Sequence, residues 1–297
     1  MDDSFIPKAI DRIEALPTLP AVLSRILTTV ADPDASALDL ARHIAVDQTL
    51  TATLLRIVNS AYYSFEREII KIPDAIVILG FTEVRNLALA AKTFEVFPNT
   101  LSAYDRTQLW RHSVATAIAS DRCARAGGLL NRDAYFVAGL LHDIGKVVFD
   151  VLHPERYRLA ALRAHEQGTR IFESERQVFG YDHTTLGAAL SNHWHLPAFI
   201  ATALEDHHAA EKDPTLSDSA RVVAVANCIV YEAGLGEASS GVAPPRPLEA
   251  AQSLSISDEH LRAIEQELHH AVPRIEGFVD AIPDDRPHVM QRLSFFE

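Results

Sequence analysis

The chain has 297 residues, 48% of them hydrophobic, with 27 Lys plus Arg against 40 Asp plus Glu and a formal net charge of −13. That supplies enough apolar material for one large core or two small ones. The acidic balance argues against sequence-independent nucleic-acid binding, which needs a clustered positive face, and against docking on an anionic membrane surface, while leaving room for a local basic pocket that takes one small anion.

Ala and Leu dominate, Gly is sparse, and apolar residues recur at three- and four-residue steps, which predicts an all-α chain. Pro17 and Pro20 precede a helix from Ala21 carrying Val22, Leu23, Ile26, Leu27 and Val30, closed by Pro33. Short helices follow at Ala37 to Ile44 and Gln48 to Asn59. For Ile72 to Leu79 periodicity alone leaves helix or strand open; helix is the reading adopted, ending at Gly80 in a C′ position. Glu83 to Thr93 is a further helix. Pro98-Asn99-Thr100 breaks the pattern. Beyond it come Leu109 to Ala126, ended by Gly127-Gly128, then Asp133 to Asp150 as one helix. Pro154 to His165, Phe172 to Val178, Thr184 to His193, Ala198 to His208 and Ser219 to Ala233 follow. Residues 234 to 247, rich in Gly, Ser and Pro, read as a mobile linker or loop. Residues 257 to 271 form a last amphipathic helix, and the tail after Pro283 reads as irregular. No internal repeat is visible.

Cys123 and Cys228 lie far apart without CxxC spacing and read as small buried residues in a reducing compartment. The start MDDSFIPK has no signal-peptide pattern, and no apolar run reaches the length of a membrane span, so a soluble cytoplasmic protein is expected.

Chemistry concentrates in LLHDIGK, residues 140 to 146. His142 and Asp143 are adjacent metal-ligand types in an apolar run. On a helix they diverge by roughly 100°, so both reach one metal only at a helix end or bend, or with the ion between their directions. Gly145 admits another backbone, and Lys146 shares a face with His142. His112 interrupts an apolar helix, His183 opens another, and His207-His208 close a third. Taken singly, each has an ordinary explanation: a hydrogen-bonded core histidine, a helix-start residue, cations at a helix C-terminus, and Lys146 reaching out to water. Together they are costly to bury without a metal or a hydrogen-bond network. His43, His153, His165, His193, His195, His260, His269, His270 and His288 read as solvated, while Asn59-Ser60 and Arg85-Asn86 read as cap and packing features.

LLRIVNSAYY (54 to 63), AIVILGFTEVRNLALA (75 to 90), AGLLHDIGK (138 to 146), ERQVFGYDHTTLGAALSNHWHLP (175 to 197) and the His207-His208 doublet resemble the HDOD family, HD-related output domains of the HD superfamily. The resemblance spans roughly residues 15 to 230. It implies an all-helical fold, an N-terminal bundle (1–100) packed on an HD-like bundle (101–235), with 236–297 as linker and C-terminal helix. By similarity to the related HD-GYP phosphodiesterases, Asp143, His183, His207 and His208 would hold one metal, and His112, His142, Asp143 and an Asp near 227 the other. Asn227 stands at that last position, and HHAAEKDP replaces the GYP segment, which argues against cyclic-di-GMP hydrolysis.

Two readings follow. The resemblance implies a bacterial signal-transduction module, non-catalytic, acting through protein or ligand binding beside two-component or cyclic-dinucleotide pathways, with a degenerate metal pocket. The alternative is a metal-dependent phosphohydrolase in which Asp143 and Lys146 are catalytic. Either allows a divalent metal (Fe, Mn, Mg, Zn or Ni) and leaves a homodimer open.

Overall fold

The computed structural model describes residues 17–32, 34–60, 63, 65, 67–97, 106–236 and 242–281. The described regular elements are all helical: α1 (Ala21–Ala31), α2 (Ala37–Ala45), α3 (Gln48–Val58), α4 (Ile72–Leu79), α5 (Phe81–Val96), α6 (Arg106–Ala126), α7 (Arg132–Leu141), α8 (Ile144–Leu152), α9 (Pro154–Gln167), α10 (Ile171–Phe179), α11 (His183–His193), α12 (Ala198–Asp206), a 3-10 turn (Ala209–Glu211), α13 (Asp218–Glu232), α14 (Leu248–Ser253) and α15 (Asp258–Ala281). No described helix is long and apolar enough to cross a membrane.

Local chemistry sets many of these boundaries. Ser36 and Asp39 form a capping box at α2, Asp47 accepts from Leu50 N–H at α3, Asp182 from the N–H groups of Thr184 and Thr185 at α11, and Ser217 from Ala220 N–H at α13. Ile72 to Leu79 is helix, and Gly80, at φ +91°, joins α4 to α5. Asn59 closes α3 as expected, and its amide bonds both the N–H and the C=O of Ile69.

Helices α1 to α5 pack on one another, α7 and α13 pack on α6, and α8, α11 and α12 complete the second group. One continuous apolar cluster, from Val22 to Val279, runs through both groups. Phe94 stacks on Trp110 with ring centres 4.0 Å apart, and the buried Arg85 reaches Asp133 at 2.5 Å. Leu140 and Leu141, at the end of α7, face Leu19, Leu23 and Leu89 of the first group. That contact anchors the residues directly before His142.

Three expectations need correcting. The helix expected over Asp133 to Asp150 is two helices, broken at His142-Asp143, where Asp143 adopts φ −100°, ψ 10°. The last helix runs on through Pro273 to Ala281, because Ile275, Phe278 and Val279 bury in the core beyond the proline. Asp206 rather than His208 ends α12. The expected break at 98 to 105, residues 237–241 of the linker and the tail after Pro283 lie outside the described residues. The described remainder of the linker is irregular, with Leu235, Pro244 and Pro247 buried and Val242, Ala243, Pro245 and Arg246 exposed.

Candidate metal centre

The break between α7 and α8 turns the side chains of His142 and Asp143 toward each other. It is held open by the next residue but one: a Cβ at Gly145 would stand 1.9 Å from the His183 carbonyl oxygen and 2.8 Å from Gly187 N. Only glycine lets α8 cross α11 this closely. The crossing brings His183, the first residue of α11, within reach of Asp143.

Asp143 is the hub. Its Oδ1 lies 3.2 Å from His183 Nε2 and 3.9 Å from His207 Nε2. Its Oδ2 lies 3.2 Å from His142 Nε2, 3.6 Å from His112 Nε2 and 2.8 Å from Lys146 Nζ. His112, His142, Asp143, Lys146, His183 and His207 are all buried. Lys146 is therefore an internal partner of Asp143 and does not extend to water.

The tautomers follow from the other ring nitrogens. Nδ1 of His112 faces the Leu235 carbonyl at 3.2 Å, that of His142 the Gly139 carbonyl at 2.8 Å, that of His207 the Leu204 carbonyl at 3.1 Å, and that of His183 the Glu175 carboxylate at 2.7 Å. Each partner only accepts, so each Nδ1 carries the proton and donates. Where such a ring is neutral, its Nε2 is left with a lone pair for a metal. His208 is bound differently. Its Nδ1 meets both Glu211 Oε1 (3.0 Å) and the Arg170 guanidinium (3.1 Å), and its Nε2 faces His183 Nε2 at 3.2 Å.

Nε2 of His112, His142 and His207, Oδ1 of Asp143 and Oδ1 of Asn227 are buried without a hydrogen-bond partner. The short contacts to Asp143 bring these atoms close but lack hydrogen-bond angles. An orphaned buried polar atom costs about 1–3 kcal/mol, and one Asp143 oxygen with four such atoms on its neighbours is an arrangement compatible with a bound cation. Two donor sets, His183/His207/His208 and His112/His142/Asp143, each have their donor atoms within 4.8 Å of one another. Ligands on one ion at about 2.1 Å stand up to about 4.2 Å apart, so small side-chain shifts bring either set onto a divalent metal. These residues fit the group, and the two oxygens of Asp143 face the two sets, Oδ1 toward His183 and His207 and Oδ2 toward His112 and His142.

Burial pushes the Asp143 carboxyl up, but His142 and Lys146, with the contacts from His142 and His183, outweigh it and hold the group well below the carboxylate range. Burial, with His142 close by, lowers His112 to about 3. It also pushes His207 and His208 well below the usual range, assisted by their imidazole neighbours. These three are neutral at neutral pH, the state a metal requires. His183 goes the other way: burial opposes its charge, yet Glu175 and Asp143 raise it to about 9.

The structure thus brings together His112, His142, Asp143, Lys146, His183, His207, His208 and, lining the same pocket, Asn227. Of the histidines expected to be solvated, His165, His195, His260, His269 and His270 are exposed, His43, His153 and His193 are half-buried, and His288 lies outside the described residues. Sequence reasoning missed Glu175, Arg170, Tyr231 and the Leu235 carbonyl. Glu175 is fully buried and also accepts from the His183 backbone N–H at 2.8 Å. Eight residues separate it from His183 across the Gly180 turn, a spacing no helical periodicity flags.

Residues 16–210 match the family model of the HDOD domain. An uncharacterized protein of Treponema pallidum (strain Nichols) is 30% identical over 201 residues, which are 67% of this chain and 38% of that one, so the chain spans well under half of that relative. An HDOD domain protein of unknown function from Geobacter sulfurreducens has a similar structure, with a TM-score of 0.76 at 26% identity, covering 95% of this chain and 99% of that one. A candidate phosphohydrolase from Shewanella amazonensis SB2B (TM-score 0.71, 21% identity, 93% of this chain and 98% of that one) and a candidate signal transduction protein from Marinobacter aquaeolei VT8 (TM-score 0.77, 20% identity, 95% and 65%) share the fold. With the match covering residues 16–210 and the HD residues gathered at one buried carboxylate, the chain belongs to the HDOD domain family.

Proposed function

We propose that the chain is a non-catalytic signalling module whose HD pocket holds divalent metal as a structural or sensing group. It acts by binding proteins or a ligand of a two-component or cyclic-dinucleotide pathway. The observation that supports the metal is the convergence of imidazole Nε2 atoms on Asp143. Asp143, His183, His207 and His208 would hold one ion, and His112, His142 and Asp143, with Asn227 as a weak fourth donor, the other. The imidazole-rich sets favour Zn, Fe or Ni over Mg and Mn. When bound, such an ion polarises a phosphoryl oxygen and acidifies a bound water.

Three features argue against turnover. Asn227 offers a neutral amide, a weaker donor than a carboxylate, and removes one negative charge. Lys146 is engaged by Asp143 at 2.8 Å. The pocket lined by Asp143, Lys146, Arg170, His208 and Asn227 is narrow, with room for about one water. The phosphohydrolase reading draws on one specific observation: Lys146 and Arg170 place two cations at the pocket, where a phosphoryl group would need them. Elemental analysis of protein purified without chelators, followed by assays on nucleotides and cyclic dinucleotides, separates the readings. Bound metal with no hydrolysis is the expected result. Hydrolysis abolished by His142→Ala would sink the non-catalytic reading, and a metal-free protein that no metal reconstitutes would sink the metal.

A further inference from the structure

One wall of the pocket comes from chain beyond the family match, which ends at residue 210. Leu235 supplies the carbonyl that fixes His112. Gly236 sits so close to Tyr231 that a Cβ there would meet the ring at 2.4 Å, and Tyr231 packs edge-on against His112 with ring centres 5.3 Å apart. Val242 and Pro244 then line the pocket opposite Asp143, Lys146 and His208. With these residues in place the pocket is narrow, with room for about one water.

The fixings of this chain are unequal. Leu235 is buried and joins the core cluster. Residues 242–247 bury Pro244 and Pro247 but leave Val242, Ala243, Pro245 and Arg246 exposed. Arg246 bonds Glu232 at 2.8 and 2.5 Å, with side chains 41% and 30% exposed. Such a solvent-exposed pair adds little to the hold. The Cys228 thiol, a weak donor, donates to the Pro244 carbonyl at 3.8 Å. The flanking helices α13 and α15, by contrast, insert Val222, Val225, Ile229, Leu268 and Ile275 into the core.

We propose that residues 242–247 form a strap that shuts the metal pocket and releases without unfolding of the surrounding helices, so that the C-terminal part of the chain governs access to Asp143 and its histidines. The proposal deepens the metal-pocket reading and rests on it for its purpose. The strap leads into α14 and α15, and α15 returns to the site helix, where Glu276 bonds Arg111 next to His112 at 2.7 Å. Helix α15 itself spans both groups of the fold, since its Arg274 also bonds Glu83 of α5 at 2.7 Å.

Cys228, beneath Pro244, reports strap opening, and Cys123, buried in α6, reports global unfolding. Maleimide labelling of the full chain under native conditions should modify Cys228 faster than Cys123. Arg246→Glu sets like charges against Glu232 and should speed Cys228 labelling severalfold, with Cys123 unchanged. Adding Glu232→Arg should restore the slow rate. Burial holds the Cys228 thiol up at about 12, with Glu232 adding to the effect, so a further acidic neighbour would slow thiolate chemistry and cannot mimic the gain. Equal labelling of the two cysteines, or no response to Arg246→Glu, overturns the strap. Mn²⁺ uptake followed by electron paramagnetic resonance should be faster in Arg246→Glu, and binding at an unchanged rate also overturns it. Failure of both proteins to bind Mn²⁺ instead counts against the metal reading, and the thiol rates then decide the strap alone.

Discussion

His142 and Asp143 are neighbours in sequence, yet His142 Nε2 lies 3.2 Å from Asp143 Oδ2. On an unbroken helix their side chains would point roughly 100° apart. The two-residue break between Leu141 and Ile144 converts a divergent pair into a convergent one. Asp143 then stands between the two donor sets, Oδ1 toward His183 and His207, Oδ2 toward His112 and His142. Replacing it with the isosteric Asn removes the shared charge and keeps the volume. Asp143→Asn should lower metal content at least tenfold while circular dichroism stays unchanged. Retention of metal would show that the histidines suffice.

Asn227 provides the reciprocal case. Its Oδ1 is buried without a partner and faces the same pocket. Asn227→Asp restores the missing carboxylate and should tighten divalent-metal binding, measured by calorimetry, by about tenfold or more. Unchanged affinity would remove Asn227 from the donor set.

Much of this site is legible in the sequence because its donors are rare residue types in apolar runs. His112, LLHDIGK, His183 and the His207-His208 doublet stand out against Ala and Leu without any structure. The constraint that His142 and Asp143 need a bend is also legible; that the bend exists is not, because the apolar pattern runs through Leu141, Ile144 and Val147 without a proline or cap. Glu175 and the Leu235 carbonyl escaped for a different reason. They act through the far side of an imidazole, from positions set by tertiary contact, and a backbone carbonyl leaves no trace in a sequence.

Glu175 is the clearest of these supporting groups. It is fully buried, and it fixes His183 twice, through Nδ1 and through the backbone N–H. Removing such a partner typically weakens metal binding 10- to 100-fold. Glu175→Ala should do so, whereas Glu175→Gln, which still accepts both bonds, should lose less. Equal losses in calorimetric titrations would mean that the charge, and not the orientation of His183, is what matters.

Gly145 tests the crossing of α8 and α11. A methyl group there meets the His183 carbonyl at 1.9 Å and cannot be absorbed by a flexible side chain. Gly145→Ala should cost about 2–3 kcal/mol or more, read as a lowered midpoint in urea unfolding, and should also weaken metal binding because His183 moves. Alanine tolerated without either loss would refute the close approach.

Away from the site, Asp47 links α3 to α5. It accepts from Leu50 N–H at 2.9 Å and pairs with Lys92 at 2.6 Å, with Lys92 11% exposed. Burial pushes its carboxyl up, but the Leu50 bond and the Lys92 ammonium outweigh this and lower it below 3.8. A depressed folded-state value means that the unfolded chain binds the proton more readily. The stabilisation is therefore present above the unfolded value and is lost as pH falls below about 4 toward the folded one. Asp47→Asn keeps the cap but removes the charge paired with Lys92, so it should reduce stability at pH 7 by about 0.2–1 kcal/mol and by progressively less on acidification, because the wild type loses the same charge there. Urea midpoints of both proteins, measured from pH 7 down to pH 3, should converge. Parallel curves would show that the Asp47 charge contributes nothing and that the cap alone holds α3.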